Sequence, residues 1–468
     1  MGLNGFIDDP LDVLAPLGVV REYHNWGWLA DNYASGPAYP DMKYTFTGFN
    51  GWDWDAFYAG LVARGSSGFP AVQGGVPWLG GGAVPPVAAG ADKTAAASYV
   101  AHGDVMFQLA ARYGATKVAD ARLKLRADQP RSTGLGTVRY FEDFNEQDLV
   151  AGFSAEAFAA MASADYDGDQ GRLGATFGVK SADPAAKLVM GGLSGAYDPS
   201  VTWVDSITKF LDQMRGWASA HRGGSFPADV INVHYYSFGP KGPALSPEDD
   251  RVQDKLAAIV AYRDAHLPGK EVWWTEFGYD TFDKSPLHAP AIGASSAFTV
   301  QAQWLVRAVL AALAAHVDRA TLFVSRDSCR PDDAACKPET QFATCGVTTL
   351  KGEWAKKPSW FFLATLRARI GAMLPAGEKP SGAGDVRVLS FRDPGAAKGA
   401  LVVWSPTSTG AAHAGYALSV PAGATTATLV TLVDKQDRGT ESALPVVAGH
   451  VTVDVSETPS IVLVDAPP

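Results

Sequence analysis

Cysteine is scarce in this sequence of 468 residues. The three cysteines, Cys329, Cys336 and Cys345, lie within one short segment, with no Cys-x-x-Cys pair and no histidine beside them. A structural zinc site is therefore not expected. One local disulfide with a spare thiol fits this spacing, and so does a segment with no disulfide. A disulfide here would favour an oxidising compartment.

Several signals of location and partner are also missing. No apolar run reaches about 18 residues, so no membrane span is predicted. The formal net charge of −10 argues against nucleic acid or an anionic membrane as partner, because both attract basic surfaces. Residues 1–6 lack the basic start and apolar core of a signal peptide. We expect a cytoplasmic protein, or a secreted or periplasmic one if a leader has been removed.

Aromatic residues, in contrast, are abundant: 13 Trp, 15 Tyr and 22 Phe. Aromatic faces stack on the apolar faces of sugars, although part of any such set forms the core. The length favours two domains, a barrel of about 250 to 350 residues and a smaller module.

Strand-like and helical segments alternate along residues 1–378. The predicted strands begin at Asn4, Val19, Phe69, Val138, Lys187, Asp229, Glu271 and Arg319. Eight such repeats predict an α/β fold, a (β/α)8 TIM barrel. A doubly wound sheet is the main structural rival, but no Gly-x-Gly-x-x-Gly follows any of these strands.

The pattern changes near Gly384. Short alternating strands separated by Gly, Pro and Asp turns follow, for example Val386–Phe391, Ala400–Trp404 and Ser460–Val464. We therefore predict a C-terminal all-β sandwich domain at residues 379–468, following a catalytic barrel at residues 1–378.

Two acidic residues stand where apolar strands end. Glu276 closes the run Val272-Trp273-Trp274-Thr275, and Glu146 follows Phe144-Asn145 after another aromatic-rich strand. Each could simply cap the next helix. Two carboxylates at the carboxyl ends of different strands are, however, what glycoside hydrolysis requires: one protonates the leaving oxygen and the other attacks the sugar carbon.

Strand alternation predicts which side chains accompany these acids. His234 and Tyr236 should point the same way, and so should Trp274 and Glu276, all toward the mouth of the barrel. A tyrosine hydroxyl beside Glu276 would hold that carboxylate ionised as a nucleophile, which leaves Glu146 as the acid/base.

These residues show a resemblance to the clan A retaining glycoside hydrolases. It rests on Asn145-Glu146 at the fourth strand, His234-x-Tyr236 at the sixth, Glu276 at the seventh and Arg21 at the second. Within that clan, Leu17-Gly18-Val19-Val20-Arg21, Phe69-Pro70, Phe141 to Glu146 and Lys357-Pro358-Ser359 are most similar to family 39 and its relatives.

The resemblance implies a retaining glycosidase with Glu146 as acid/base and Glu276 as nucleophile. No cofactor and no metal ligand set are expected, and the partner is an oligo- or polysaccharide. Sugar identity, linkage, endo or exo action and oligomeric state stay open. The predicted substrate-binding residues are Arg21, His24, Trp78, Asn145, His234, Tyr236, Trp274 and Arg326.

The sequence departs from the family pattern at two places. Gln147 stands where the family usually has proline, and Ser325-Arg326-Asp327 stands where the clan's tryptophan is expected. Arg326 could meet an acidic or sulfated sugar, but an ion pair with Asp327 or a loop carboxylate is the stronger expectation.

Two other functions stay open. A non-catalytic carbohydrate-binding protein on a degenerate barrel would fit both departures. A barrel lyase or aldolase would need a strand-end lysine or a metal cluster, and neither is visible.

Asp165 to Asp169 resembles a calcium loop but lacks its terminal glutamate, so a solvated acidic turn is the preferred interpretation.

Overall fold

The computed structural model describes residues 1–29, 37–81, 84–239, 242–330 and 341–468. Eight parallel strands pair in chain order and close into a barrel, which confirms the predicted α/β fold. The strands are β1 (Gly2–Gly5), β2 (Val19–Asn25), β3 (Gly68–Gln73), β4 (Tyr140–Glu142), β5 (Lys187–Val189), β6 (Val230–His234), β7 (Glu271–Glu276) and β8 (Arg319–Leu322).

Helices cover the outside of the barrel. Those in the described part of the chain are α1 (Leu11–Leu14), α2 (Trp26–Leu29), α3 (Trp54–Ala63), α4 (Val100–Tyr113), α5 (Ala155–Asp167), α6 (Val179–Ala182), α7 (Trp203–Arg222), α8 (Val252–His266), α9 (Ala297–Ala314) and α10 (Pro358–Ile370). Four of these helices begin at polar caps: the side chains of Asp53, Ser154, Thr202 and Ser296 accept backbone N–H bonds at α3, α5, α7 and α9. Such caps satisfy donors that lack a partner inside the helix.

The C-terminal module is antiparallel. Its strands are β9 (Leu374–Lys379), β10 (Arg387–Arg392), β11 (Gly399–Trp404), β12 (Ala412–Ser419), β13 (Ala427–Thr431), β14 (Thr440–Leu444), β15 (His450–Ser456) and β16 (Ser460–Val464). Six form a sheet in the order β14-β13-β16-β11-β10-β9, and β12 pairs with β15. The sheet begins at Leu374, a few residues before the predicted boundary at 379.

β11, in the middle of the six-stranded sheet, is buried on both faces. Leu401 and Val403 of β11 pack in the interior of the sandwich, whereas Val402 and Trp404 belong to the core shared with the barrel. This double burial explains why β11 is a continuous apolar run rather than an alternating one.

α9 is an apolar helix of 18 residues with a mean hydropathy of 1.4. By length and composition it could cross a membrane, but 72% of it is buried inside the protein. It packs as a core helix against the barrel and α10.

A buried ion pair joins the barrel to the sandwich. Glu248 accepts from Arg307 at 2.9 Å on one oxygen and from the indole of Trp404 at 2.8 Å on the other. Arg307 also donates to the carbonyls of Pro406 and Thr407. The Arg307 side chain is fully buried. Its positive charge is therefore stabilised by these acceptors in place of water.

We predict that Glu248→Ala lowers the free energy of unfolding by about 3 to 5 kcal/mol, because it leaves the Arg307 guanidinium buried without its carboxylate. Urea denaturation followed by far-ultraviolet circular dichroism measures the change. Asp254→Ala is the matched control, since Asp254 pairs with Arg251 on the surface and both side chains are exposed. The control should cost less than about 1 kcal/mol, and equal losses would contradict the assignment.

Candidate active site

The carboxylate of Glu276 lies at the centre of a polar cluster at the carboxyl end of the barrel. Its Oε1 accepts from Arg21 at 2.7 Å and from the hydroxyl of Tyr23 at 2.6 Å. Its Oε2 accepts from the hydroxyl of Tyr236 at 2.9 Å and lies 3.7 Å from His234 Nδ1. Strands β2, β6 and β7 thus converge on one acid.

A bulge in β7 aims Glu276 into the barrel. Val233 pairs with Trp274 and His234 with Glu276, so Thr275 is an extra residue in the register. The Thr275 hydroxyl donates to Asn232 inside the barrel, and its carbonyl accepts from Asn4 and Thr321. Thr275 and Glu276 therefore both face inward, which the regular alternation of a strand does not allow.

Arg21 is fully buried and forms five side-chain hydrogen bonds. It binds both oxygens of Glu142 at 2.6 and 2.7 Å, Asn4 at 2.8 Å, and Glu276 and Asn145 at 2.7 Å each. These bonds occupy all five guanidinium donors. Because Asn145 accepts from Arg21 through Oδ1, its amide nitrogen is the group left to donate to a ligand.

The surroundings of Glu276 favour its ionised form. Burial alone would raise the pKa of this carboxyl, but His234, Arg21 and the hydroxyls of Tyr23 and Tyr236 outweigh burial and lower it. Burial and the charge of Glu276 raise the pKa of both tyrosines, so their hydroxyls stay protonated and donate. An ionised carboxylate with fixed donors is the form that a nucleophile requires.

Glu146 follows β4 in a left-handed backbone conformation, with φ of 50°. Its N–H donates to the carbonyl of Gly192, and its side chain is about one quarter exposed. One oxygen each of Glu146 and Glu276 and a ring nitrogen of His234 all lie within 4.8 Å of one another. The two predicted acids therefore face each other across the mouth of the barrel.

His234 connects these acids to the interior of the barrel. Its Nδ1 lies 3.0 Å from Glu146 Oε1, and its Nε2 lies 3.0 Å from Thr275 Oγ1. Burial would lower the pKa of His234, but the carboxylates of Glu276 and Glu146 raise it above its ordinary value. A Cβ at Gly192 would lie 2.0 Å from Nε2, so only glycine fits beside the ring.

An aromatic wall stands beside the carboxylates. Phe323, directly after β8, packs against Tyr23, Tyr236 and Phe342 at ring-centroid distances of 6.3, 6.4 and 5.6 Å. Phe323 thus places an aromatic ring at the end of the eighth strand, two residues before Ser325-Arg326-Asp327, where tryptophan was expected. A cavity of about 570 Å³ adjoins this wall, with Phe6, Arg326, Ser328 and Gln341 also among its lining residues.

Arg326 lies at the edge of this cavity and pairs with carboxylates of the β1 loop. Its Nη1 donates to Asp8 at 2.9 Å and to Asp9, and its guanidinium lies over Phe6. The expected ion pair with a loop carboxylate is present.

Trp78, after β3, is half-buried and packs edge-on against Trp26.

Two predicted substrate-binding side chains lie away from the mouth. His24 is fully buried, pairs with Glu22 at 2.8 Å and packs on Trp54 of α3. His24 lies three residues from Arg21 on β2, so the two side chains occupy opposite faces of the strand. Trp274 is also buried and stacks on Phe277, because the bulge at Thr275 separates its face from that of Glu276.

Several residues of the cluster were not predicted. Tyr23 could have been found, since alternation from Arg21 along β2 places it on the same face. Glu142 could likewise have been inferred as the partner that a buried arginine requires. The inward side chain of Thr275 depends on the bulge, for which the sequence carries no signal that we recognise.

The other candidate sites are occupied by protein contacts. Cys329 is disulfide-bonded and Cys345 is a free, buried thiol; Cys336 lies outside the described residues. In the acidic segment, Asp165 pairs with His102, and Asp167 and Asp169 pair with Arg222 and Arg172. These carboxylates do not converge on a calcium position.

Solved structures with the same fold are numerous. A family 39 glycoside hydrolase from Bacteroides cellulosilyticus has a TM-score of 0.63 and 14% identity, over 98% of this chain and 80% of that one. A glucosidase from Croceicoccus marinus has a TM-score of 0.59 and 14% identity, over 100% and 96%. A family 30 endoxylanase from Clostridium papyrosolvens has a TM-score of 0.57 and 10% identity, over 99% and 96%.

No protein-family model and no curated protein matches the sequence. At identities of 10 to 14%, the structural likeness establishes the fold, a barrel with a β-sandwich module. The predicted resemblance to clan A glycoside hydrolases is therefore confirmed for the fold.

We predict that Tyr236→Phe raises the pKa of Glu276, because it removes a hydrogen bond to the ionised carboxylate, and such a bond contributes about 1.5 to 3 kcal/mol. Carbon-13 NMR of glutamate-labelled protein measures this, with Glu276 identified as the resonance that Glu276→Gln removes. Tyr235→Phe is the matched control, since the Tyr235 hydroxyl donates to Asp250 instead. An unchanged titration in Tyr236→Phe would show that this hydroxyl does not stabilise the carboxylate.

Proposed function

We propose that this protein is a retaining glycoside hydrolase that cleaves β-glycosidic bonds in an oligo- or polysaccharide. The approach of Glu146 and Glu276, with carboxyl oxygens within 4.8 Å, carries the proposal. Retaining enzymes hold their two carboxyl groups about 5 to 5.5 Å apart, whereas inverting enzymes hold them about 6.5 to 9.5 Å apart to admit a water molecule. The short separation supports double displacement.

In the first step Glu276 attacks the anomeric carbon while Glu146 protonates the leaving oxygen. Glu276 suits attack because its pKa is lowered and its donors hold it in place. Glu146 suits proton transfer because it is partly exposed and shares a 3.0 Å contact with His234 Nδ1, where a proton can be held. The step yields a glycosyl ester on Glu276 and a free alcohol.

In the second step water attacks the ester, and Glu146 now takes the proton. Formation of the ester removes the negative charge of Glu276. Because Glu146 gives up its proton in the same step, the carboxylate that faces His234 changes from Glu276 to Glu146, which lies 3.0 Å from Nδ1. His234 thus couples the charge of the nucleophile to the protonation of Glu146.

The aromatic wall and its cavity support a saccharide as substrate. Phe6, Phe323 and Phe342 offer rings for the apolar faces of a sugar, and Ser328 and Gln341 offer polar groups for its hydroxyls. Arg326 and Lys351 also line the cavity but are paired with Asp8 and Asp9. Their charges are thus already balanced, which favours a neutral sugar.

The rival function of a binding protein without catalysis rested on two departures from the family pattern. Gln147 is buried and donates to the carbonyl of Gly191, and Glu146 keeps its contact with His234. Phe323 supplies the aromatic ring at β8. Neither departure removes a group that the proposed reaction needs.

We predict that Glu146→Ala lowers kcat by about 10²- to 10⁴-fold, and that Glu276→Ala lowers it at least as far because no nucleophile remains. Azide should restore part of the activity on an aryl glycoside, giving a β-glycosyl azide with Glu146→Ala and an α-glycosyl azide with Glu276→Ala. Product analysis by proton NMR distinguishes the two anomers.

Glu271→Gln serves as the control for this pair, because Glu271 lies at the opposite end of β7 and binds Tyr140 and Trp273. It should keep nearly full activity. Full activity in either Glu146→Ala or Glu276→Ala would remove the assigned role of that residue.

We predict that Ser328→Trp raises KM for an oligosaccharide by at least about tenfold, since loss of one stacked or hydrogen-bonded sugar costs more than 1.4 kcal/mol. Ser328 is exposed at the cavity, so a large side chain can fill the space without entering the core. Steady-state kinetics measures the effect, with Ser381→Trp on the sandwich as control. An unchanged KM would show that substrate does not occupy the cavity.

A further inference from the structure

We propose that Glu146, His234 and Glu276 form a binding site for a divalent transition-metal ion of the zinc class, and that the bound ion inhibits the enzyme. Binding of the ion is independent of the proposed glycosidase activity, and only its inhibitory effect rests on that activity. The proposed reaction itself needs no metal.

The donor set fits such an ion in kind and in spacing. His234 Nδ1 lies 3.0 Å from Glu146 Oε1 and 3.7 Å from Glu276 Oε2. Zinc bonds of about 2.0 to 2.2 Å in tetrahedral geometry place neighbouring ligand atoms about 3.4 Å apart. The two observed distances lie on either side of this value, and all three donor atoms fall within 4.8 Å of one another. Glu146 has the most exposed side chain of the three, so it can move to bring its carboxylate oxygen within bonding distance of the ion.

The other ring nitrogen of His234 is oriented as in metal sites. Asn232 donates its amide N–H to Glu142, so its Oδ1 is free to accept from the Thr275 hydroxyl. Because that hydroxyl gives its only hydrogen to Asn232, Thr275 Oγ1 accepts from His234 Nε2. The hydrogen on Nε2 is thus fixed, and Nδ1 is the ring atom whose proton a metal ion can replace. Metal-binding histidines are typically held by such a bond from the opposite ring nitrogen.

Charge also favours a divalent ion. With Nδ1 unprotonated, the carboxylates of Glu142, Glu146 and Glu276 face the single guanidinium of Arg21. This leaves two negative charges in a mostly buried cluster, which one divalent ion balances. The imidazole donor selects zinc, cobalt, nickel or copper over magnesium and calcium, which prefer oxygen ligands.

The bound ion would occupy the position that the substrate must take. It would coordinate the nucleophile through Glu276 Oε2 and the acid/base through Glu146 Oε1, so neither group could react. Inhibition should therefore be competitive with substrate and reversed by a chelator.

The test uses the full-length protein, freed of metal with a chelator and dialysed. Isothermal titration with zinc chloride should show one equivalent of tight binding, and cobalt chloride should give the visible absorption of a tetrahedral cobalt centre. Magnesium chloride should give neither signal. Thr275→Val removes the acceptor of Nε2 and should weaken zinc binding by about 10- to 100-fold. His234→Ala and Glu146→Gln each remove a ligand and should weaken it at least as much.

His221→Ala is the matched control, because His221 is an exposed histidine on α7 that stacks on Trp217. It should bind zinc as the unaltered protein does, and circular dichroism checks that each variant is folded. The proposed site would be refuted if the unaltered protein did not bind zinc. It would also be refuted if Glu146→Gln and Thr275→Val bound zinc as tightly as the unaltered protein does. Zinc binding without any glycosidase activity would leave the site intact and refute the proposed function instead.

Discussion

The structure depends on one buried cation, the guanidinium of Arg21. Removing a charge from water is costly unless every donor finds a partner in good geometry. Here all five N–H donors are used, on Asn4 from β1, Glu142 and Asn145 from the β4 segment, and Glu276 from β7. A single side chain therefore fixes the relative positions of four strand ends and stabilises the ionised form of the proposed nucleophile.

This arrangement links the stability of the barrel to its chemistry. The negative charge of Glu276 is stabilised by Arg21 on one oxygen and by Tyr236 on the other, while His234 stands between it and Glu146. Two carboxylates within 4.8 Å would repel each other in an apolar site. The guanidinium and the imidazole let them approach, and this approach is what the proposed double-displacement mechanism requires.

Much of this could be predicted from the sequence because barrels impose strong periodicity. Apolar runs at regular intervals identified all eight barrel strands, and acids at the ends of two of them identified Glu146 and Glu276. The C-terminal sandwich was harder. β15 was predicted from its alternating residues, but β12 (Ala412–Ser419) and β14 (Thr440–Leu444) were not, because both are largely exposed and lack a clear alternation of apolar residues.

The errors at the site have separate physical causes. His24 was assigned to the mouth although its spacing from Arg21 places it on the outer face of β2. Trp274 was assigned to the mouth because regular alternation places it on the same face as Glu276. The extra residue at Thr275 interrupts this alternation, so the two side chains lie on different faces. A bulge depends on the packing of neighbouring strands and on hydrogen bonds such as those that the Thr275 carbonyl accepts from Asn4 and Thr321. It is therefore not evident from the local sequence.

The most direct test of the account is to trap the glycosyl-enzyme. Protein incubated with a 2-deoxy-2-fluoro-β-glycoside of a sugar that it cleaves should gain the mass of one glycosyl group. Peptide mapping should place that group on Glu276, with none on Glu146. Turnover of the parent glycoside without any labelled enzyme, or a label on another residue, would contradict the assignment of Glu276 as the nucleophile.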